Sequence, residues 1–357
     1  MAAIDQLLDR LQGAIRFHAI GDALGSPHEL RGRVPYQQYN GVIQFNIRYQ
    51  TQYQGLRLGA VGQVSDDTEL SLMMAYSLLA HRGYNGQDMA RSYMEWANSG
   101  SVFIGINTRD LFKGVTTIPG YTKRWTDKFN PLLKEATSSV SLTIPDTDQT
   151  VIIPFNPVIT QANGSLMRII PLLTLFVRND PRAWQAVISD VWLTNPSPIN
   201  LEISLLYLQM GRMMMANASI ANIMDYLISH TVQQPIKQAI QEVLSNTPRN
   251  VDTREKGWIV HAFYCAVWAV YRLDRQPARA LLDQIILMRG DADTNAAIAG
   301  GLIGLWHGWN QLGQDPIIQN NWTKIVIADL SQGDFIRPDK YHPKHYPGII
   351  NQLLGSF

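Results

Sequence analysis

Apolar residues recur at mixed three- and four-residue steps along most of this chain, the spacing of one buried face of an α-helix. Leu7, Leu8, Leu11, Ile15, Phe17, Ala19 and Ile20 begin the pattern, and Gly21, Ala23, Leu24 and Gly25 fill the next turn. The same periodicity predicts helices over 68–82, 86–98, 165–177, 183–194, 199–216, 219–229, 234–245, 256–273, 278–288 and 294–309. Strand-like runs are confined to Gly41-Val42-Ile43-Gln44-Phe45 and Val151-Ile152-Ile153-Pro154-Phe155, where Pro154 restricts the second to an edge or a loop. The expected class is therefore all-α. Gly25 and Pro27 are expected to end the first helix and leave Glu29 on a loop. Two stretches, 31–62 and 114–160, are rich in Gly, Gln, Tyr or Pro and are read as insertions on the helical frame. Long irregular segments of this kind are often substrate loops. The run Thr294–Gly304 is dominated by small residues, which costs helix propensity of up to about 1 kcal/mol per glycine and calls for helices packed at close range.

Composition narrows the class without choosing a chemistry. The 357 residues, 46% apolar and 17% charged, suit one large globular domain or two small ones. A formal net charge of +1 gives no electrostatic footprint for nucleic acid or an anionic membrane, so a small molecule or a protein is the expected partner. The single cysteine, Cys265, lies in the apolar run 258–268 and is read as a core thiol, without a disulfide framework. An early acid at Asp5 and the lack of a long apolar run near the start speak against a signal peptide. Elsewhere charged residues, histidine or glycine break every apolar stretch short of the roughly 20 residues that span a bilayer. The expected compartment is cytoplasmic.

Four polar turns lead into or out of the predicted helices. Ser65-Asp66-Asp67-Thr68-Glu69 precedes an apolar helix, and Gly290-Asp291-Ala292-Asp293-Thr294 repeats the construction near the other end. Helix capping explains one Asp of each pair, because a side-chain oxygen at an N-cap accepts from free backbone N–H groups. Four aspartates and two hydroxyls at two helix starts equally suit hard divalent cations, which take about six oxygen ligands. If the two starts meet, unpaired carboxylates repel and metal is the natural compensation. Between them, Gln161-Ala162-Asn163-Gly164-Ser165-Leu166-Met167-Arg168 is either an ordinary helix start or an anion-binding turn to which Arg168 adds charge. Glu29 is either an exposed glutamate or a held catalytic acid or base.

In this order, Gly21-Asp22-Ala23-Leu24-Gly25-Ser26-Pro27-His28-Glu29, Ser65-Asp66-Asp67-Thr68, Asn163-Gly164-Ser165-Leu166-Met167-Arg168 and Gly290-Asp291-Ala292-Asp293-Thr294-Asn295-Ala296-Ala297-Ile298-Ala299-Gly300 resemble the ADP-ribosylglycohydrolase family. The motifs span nearly the whole chain. The resemblance implies a single domain over 1–357, an all-α orthogonal multi-helix bundle with a binuclear Mg²⁺ or Mn²⁺ centre in a cleft. It implies hydrolysis of the bond between ADP-ribose and an acceptor, often a protein arginine. By match of motif, Ser65, Asp66, Asp67, Asp291, Asp293 and Thr294 would hold metal, with Glu29, Asp66 and Asp293 as candidate catalytic groups. Asn163, Gly164, Ser165 and Met167, with Gly105 and Asn195, would line the substrate cleft. The implied partners are an ADP-ribosylated protein, ADP-ribose and a cognate ADP-ribosyltransferase, whose action such an enzyme would reverse; a toxin is one such transferase. The alternatives are a non-catalytic ADP-ribose-binding or structural protein on the same fold, or an immunity protein acting by physical blockade. Two positions depart from the pattern. Phe103, in Phe103-Ile104-Gly105-Ile106-Asn107-Thr108-Arg109, stands where relatives commonly carry an acid, and Asn195 stands where they often carry a histidine. Asn195 can hydrogen-bond but cannot titrate.

Overall fold

The computed structural model describes residues 2–29, 38–51 and 55–355. In chain order, α1 (Ala2–Glu29) is followed by a hairpin of β1 (Asn46–Thr51) and β2 (Gly55–Val61), then α2 (Asp66–His81), α3 (Gly86–Asn98), α4 (Ile106–Phe112) and α5 (Ile118–Lys134). A second hairpin, β3 (Ser138–Thr143) and β4 (Thr150–Phe155), leads through 3-10 turns at Asn163–Ser165 and Ile170–Leu172 into α6 (Leu173–Val177) and α7 (Ala183–Thr194). The remainder is α8 (Pro198–Met215), α9 (Ile220–His230), α10 (Gln234–Leu244), α11 (Ile259–Val270), α12 (Ala278–Leu287), α13 (Ala292–His307), α14 (Trp309–Leu312), α15 (Pro316–Val326) and α16 (Tyr346–Gly355). Each sheet has only two strands, both antiparallel, so the frame is helical as expected.

The small residues of α13 let its backbone touch that of α1. A Cβ at Gly304 would lie 2.2 Å from the Gly13 carbonyl oxygen, and one at Gly25 would lie 2.4 Å from the Asp293 Cα. No side chain fits in either gap. Contact along the length of both helices brings the C-terminal end of α1 to the N-terminal end of α13. One continuous buried cluster runs from Leu11 to Leu354 around this pair, and it includes every residue of α11 except the buried His261. Cys265 is buried there and its thiol is pushed up to about 12 by burial, so it is a core residue as expected.

Several boundaries differ from the periodicity. The first helix does not stop at Gly25: that glycine serves the close approach to α13, and Pro27 sacrifices a single hydrogen bond in the last turn, so α1 runs on to Glu29. Glu29 therefore ends a helix and is not held on a loop. Residues 165–177 do not form one helix, because Pro171 cannot donate to the ladder and the segment breaks into 3-10 turns before α6. Gly41–Phe45 is not a strand. Ile43 is buried, its N–H donates to the Asn321 side chain of α15 at 2.9 Å, and strand pairing starts only at Asn46. Val151–Phe155 does pair, with Pro154 opposite Ser139 in a sheet of two edge strands. The stretch 114–160 holds α5 and the second hairpin instead of irregular chain, and the described part of 31–62 holds the first hairpin. Residues 31–37 and 52–54 of that stretch lie outside the described residues. Among the described residues no helix is long and apolar enough to cross a membrane.

Candidate metal centre

Neither acidic helix start is used as a cap. Ser65 sits at the N-cap position of α2, yet its hydroxyl donates to Asp67 Oδ2 at 2.9 Å and makes no capping bond. The free N–H groups of that helix are met from another element. Asp22 of α1 accepts from the Ser65 N–H (2.9 Å to Oδ1), from the Thr68 N–H (3.1 Å) and from the Thr68 hydroxyl (2.6 Å). At the second start Asp291 occupies the N-cap of α13, again without a capping bond, and accepts from Asn163 Nδ2 at 2.7 Å. The capping alternative fails at both places, and the aspartates are left facing one another.

Their convergence is built by three elements. Asp22, Ser26 and Glu29 lie at i, i+4 and i+7 on one face of α1. The first turn of α2 supplies Ser65, Asp66 and Asp67. The N-cap and first turn of α13 supply Asp291, Asp293 and Thr294, and the approach to them depends on Gly290 at φ +72°, where a Cβ would lie 2.4 Å from the Val251 carbonyl oxygen. Carboxylate oxygens of Asp22, Asp67 and Asp293 come within 4.8 Å of one another, as do those of Glu29, Asp291 and Asp293. Asp293 belongs to both groups, so the two are adjacent. Thr294 Oγ1 donates to Asp67 Oδ2 at 3.3 Å, and Ser26 Oγ donates to Asp293 Oδ2 at 3.3 Å.

This concentration of buried acid is costly. Burial first, and then the charge of Asp22, holds the carboxyls of Asp66 and Asp67 well above the ordinary carboxylate range. Burial and the charges of Glu29 and Asp291 do the same to Asp293. Burial also raises Glu29, Asp291 adds to the rise, and Lys256, whose Nζ donates to Glu29 Oε1 at 2.5 Å, opposes it. Among the described residues, the buried Asp67 Oδ1 has no hydrogen-bond partner. An all-oxygen donor set with an orphaned carboxylate oxygen and mutually repelling acids fits a hard divalent cation. The acidic cluster could hold metal.

Beside the cluster, residues 161–163 pair with 257–259: Asn163 N–H donates to the Gly257 carbonyl and Ile259 N–H to the Gln161 carbonyl, each at 2.9 Å. An open hollow of about 490 Å³ lies against this pairing, lined by Gln161, Ala162, Glu255, Gly257 and Trp258. Of the expected cleft residues, Asn163 touches the cluster directly. Gly164 has open space where a Cβ would project, Ser165 is buried and accepts from Asn200 Nδ2 at 2.9 Å, and Met167 is buried in the core. Asn195 is buried with Nδ2 3.4 Å from the carbonyls of Thr160 and Ala162. Gly105 opens α4, exposed and with free space around it. Phe103 meets Phe335 edge-on at 5.0 Å. Arg168 is not available to an anion: it is fully buried, ion-paired with Asp190 at 2.9 Å, and its Nη1 holds the Gly164 carbonyl. Two residues were not singled out from the sequence. Asp22 carried a signal, a carboxylate in the mostly apolar run 17–25 at helical spacing from Ser26 and Glu29. Lys256 carried none.

Comparison with known proteins agrees with this geometry. The family model described as ADP-ribosylglycohydrolase matches residues 3–329. The chain is 26% identical over 308 residues to the ADP-ribosyl-[dinitrogen reductase] glycohydrolase of Rhodospirillum rubrum, covering 84% of this chain and 86% of that one. It is 23% identical over 318 residues to a chain of Acanthamoeba polyphaga mimivirus provisionally named an ADP-ribosyl glycohydrolase, covering 83% and 86%. A solved structure titled ADP-ribosylglycohydrolase-related protein complex superposes with a TM-score of 0.63 at 19% identity over 98% of this chain and 99% of that one, which shows the fold.

Proposed function

The chain belongs to the ADP-ribosylglycohydrolase family, hydrolases acting on glycosidic bonds, and on that premise we propose that it releases ADP-ribose from modified arginine side chains of proteins with the help of two divalent metal ions, Mg²⁺ or Mn²⁺. The observation that carries the reading is the pair of acidic helix starts, neither of them capped by its own side chain and the two turned on one another. Ser65, Asp66, Asp67, Asp291, Asp293 and Thr294 are the residues that would hold metal, and the sharing of Asp293 between two groups of carboxylates favours two ions over one. Held there, divalent metal would supply Lewis acidity toward ribose hydroxyls and would lower the pKa of water.

The side chains do the rest. Asn163 fixes Asp291 by a hydrogen bond, so the turn that borders the hollow also orients one wall of the cluster. The hollow lies against that same turn, which makes it the place for the nucleotide part of the substrate, with Trp258 offering a flat apolar face. Gly164 lets the backbone come close to a phosphate, and Gly105 leaves room on the α4 side. Glu29, raised by burial and by Asp291, accepts the proton of the attacking water and returns it to the nitrogen of the departing guanidinium as the C1–N bond breaks. The negative cluster stabilises the positive charge that develops on the sugar. Asn195 positions the 160–162 backbone without titrating. A non-catalytic scaffold is disfavoured because it gains nothing from buried, repelling acids. In a cell the activity would oppose a cognate ADP-ribosyltransferase, a toxin among them.

The test is a panel of proteins carrying ADP-ribose on arginine or on serine, incubated with the protein and Mg²⁺. Release from arginine is expected to be fastest. Faster release from serine would overturn the linkage assignment, and release from neither, with metal bound, would overturn the hydrolase reading.

A further inference from the structure

The acidic cluster carries one cation of its own. Among the described residues, Lys256 is the one basic side chain in an ion pair with a carboxylate of the cluster, its Nζ 2.5 Å from Glu29 Oε1. It reaches there from the segment before α11, whose next residue, Gly257, is bonded through its carbonyl to Asn163. The Lys256 side chain is about one-third exposed, and that of Glu29 one-quarter. Asp291 and Asp293 act on the same ammonium together with Glu29 and favour its charged form against burial. Lysine is a compact point charge on a flexible stem, so it can neutralise a cluster of acids while remaining able to swing away.

We propose that Lys256 is a tethered counter-cation of this centre: it holds Glu29 by an ion pair and competes with divalent ions for the negative field of Asp291 and Asp293, so setting how tightly the centre takes metal. The inference rests on reading the cluster as a metal centre. Repulsion among six buried or half-buried acids must be offset in some way whenever metal is scarce, and among the described residues the basic side chain placed to do so is this ammonium. When metal enters, the same charge opposes it. Lys256 is thus a positioning residue for Glu29 and a ceiling on metal affinity, and it connects both to the Gly257–Asn163 pairing beside the hollow.

The experiment is calorimetric titration of Mg²⁺ into chelator-stripped wild type, Lys256→Met and Lys256→Arg, with thermal melting of each metal-free protein. Lys256→Met keeps the apolar stem and removes the charge. It is expected to bind Mg²⁺ about tenfold more tightly and to melt lower than wild type when metal-free, while Lys256→Arg restores both properties. Unchanged or weaker Mg²⁺ binding in Lys256→Met overturns the proposal. If Lys256→Met does not fold without metal, Lys256→Gln, neutral and polar, is titrated instead under the same criterion. Hydrolysis by wild type separates the two readings. An inactive wild type whose Lys256→Met variant binds metal more tightly removes the hydrolase assignment alone, and an active wild type with unchanged affinity in the variant removes the role of Lys256 alone.

Discussion

At the scale of single residues, what distinguishes this site is where the hydrogen bonds go. A serine or an aspartate before a helix ordinarily satisfies the first free N–H groups, and here Asp22 does that work from a different helix. The sequence alone left capping and metal binding both open, because the residue types that suit one suit the other. It is the distant carboxylate that separates them, and distance in space is not written in local spacing. Glu29 was legible as a candidate, although its setting was not: it ends α1 and leans on Lys256. For Glu29→Gln, metal is expected to stay and turnover to fall about 10²-fold or more, the usual contribution of a general acid or base. Single-turnover release of ADP-ribose alongside Mg²⁺ titration would measure both; normal turnover would remove Glu29 from the mechanism.

At the scale of elements, periodicity located the long helices well and failed where tertiary contacts override it. α7, α9 and α10 fall within a residue of their expected spans because each has one apolar face on the core. α1 outran its expected end because a glycine that reads as a stop in sequence is, in space, the point where α13 touches. α4, α5, α14, α15 and α16 are not among the expected spans, two of them inside or beside a stretch whose prolines and glycines mimic loop chemistry. In α5, Pro119 sits in the first turn, where a missing N–H costs nothing. The turn that holds Arg168 reads in sequence as either an ordinary helix start or an anion-binding turn, and Asp190 and Thr194 of α7 draw Arg168 into the core, away from any anion. The α1–α13 contact should be unforgiving. Gly304→Ala is expected to cost about 1–3 kcal/mol, the usual penalty of overpacking. Gly164→Ala, with open space at its Cβ, should stay within about 0.5 kcal/mol. Chemical denaturation of both variants decides, and equal losses would show that the helices do not meet as closely as described.

At the scale of the whole molecule, the fold assembles from three distant parts of the chain a charge cluster that no one part could hold. Asp22, Asp67 and Asp293 are brought within reach by the α1–α13 pairing and by the docking of α2 against α1. Asp66, Asp67 and Asp293 are raised by burial and by neighbouring acids, so the folded metal-free protein holds protons that the unfolded chain releases at lower pH. Their stabilising share is full below the ordinary carboxylate range and is lost as pH rises through the raised values. Metal must displace those protons, so the gain in Tm on saturation with Mg²⁺ should be larger at pH 8 than at pH 5.5. Buried histidines such as His18, held down at about 4 by burial, shift stability the other way but cancel between the metal-free and loaded protein. A gain independent of pH would contradict a cluster that binds metal through these acids.

The central claim is that the two joined acidic helix starts hold the divalent ions on which release of ADP-ribose depends. Its most direct measurement is the rate at which arginine-ADP-ribosylated protein loses free ADP-ribose to wild type that is stripped with chelator and then reloaded with Mg²⁺, with Asp293→Ala carried alongside. Release should be absent after stripping, return on reloading and stay absent in Asp293→Ala; equal release in the stripped wild type, or full release by the variant, would contradict it.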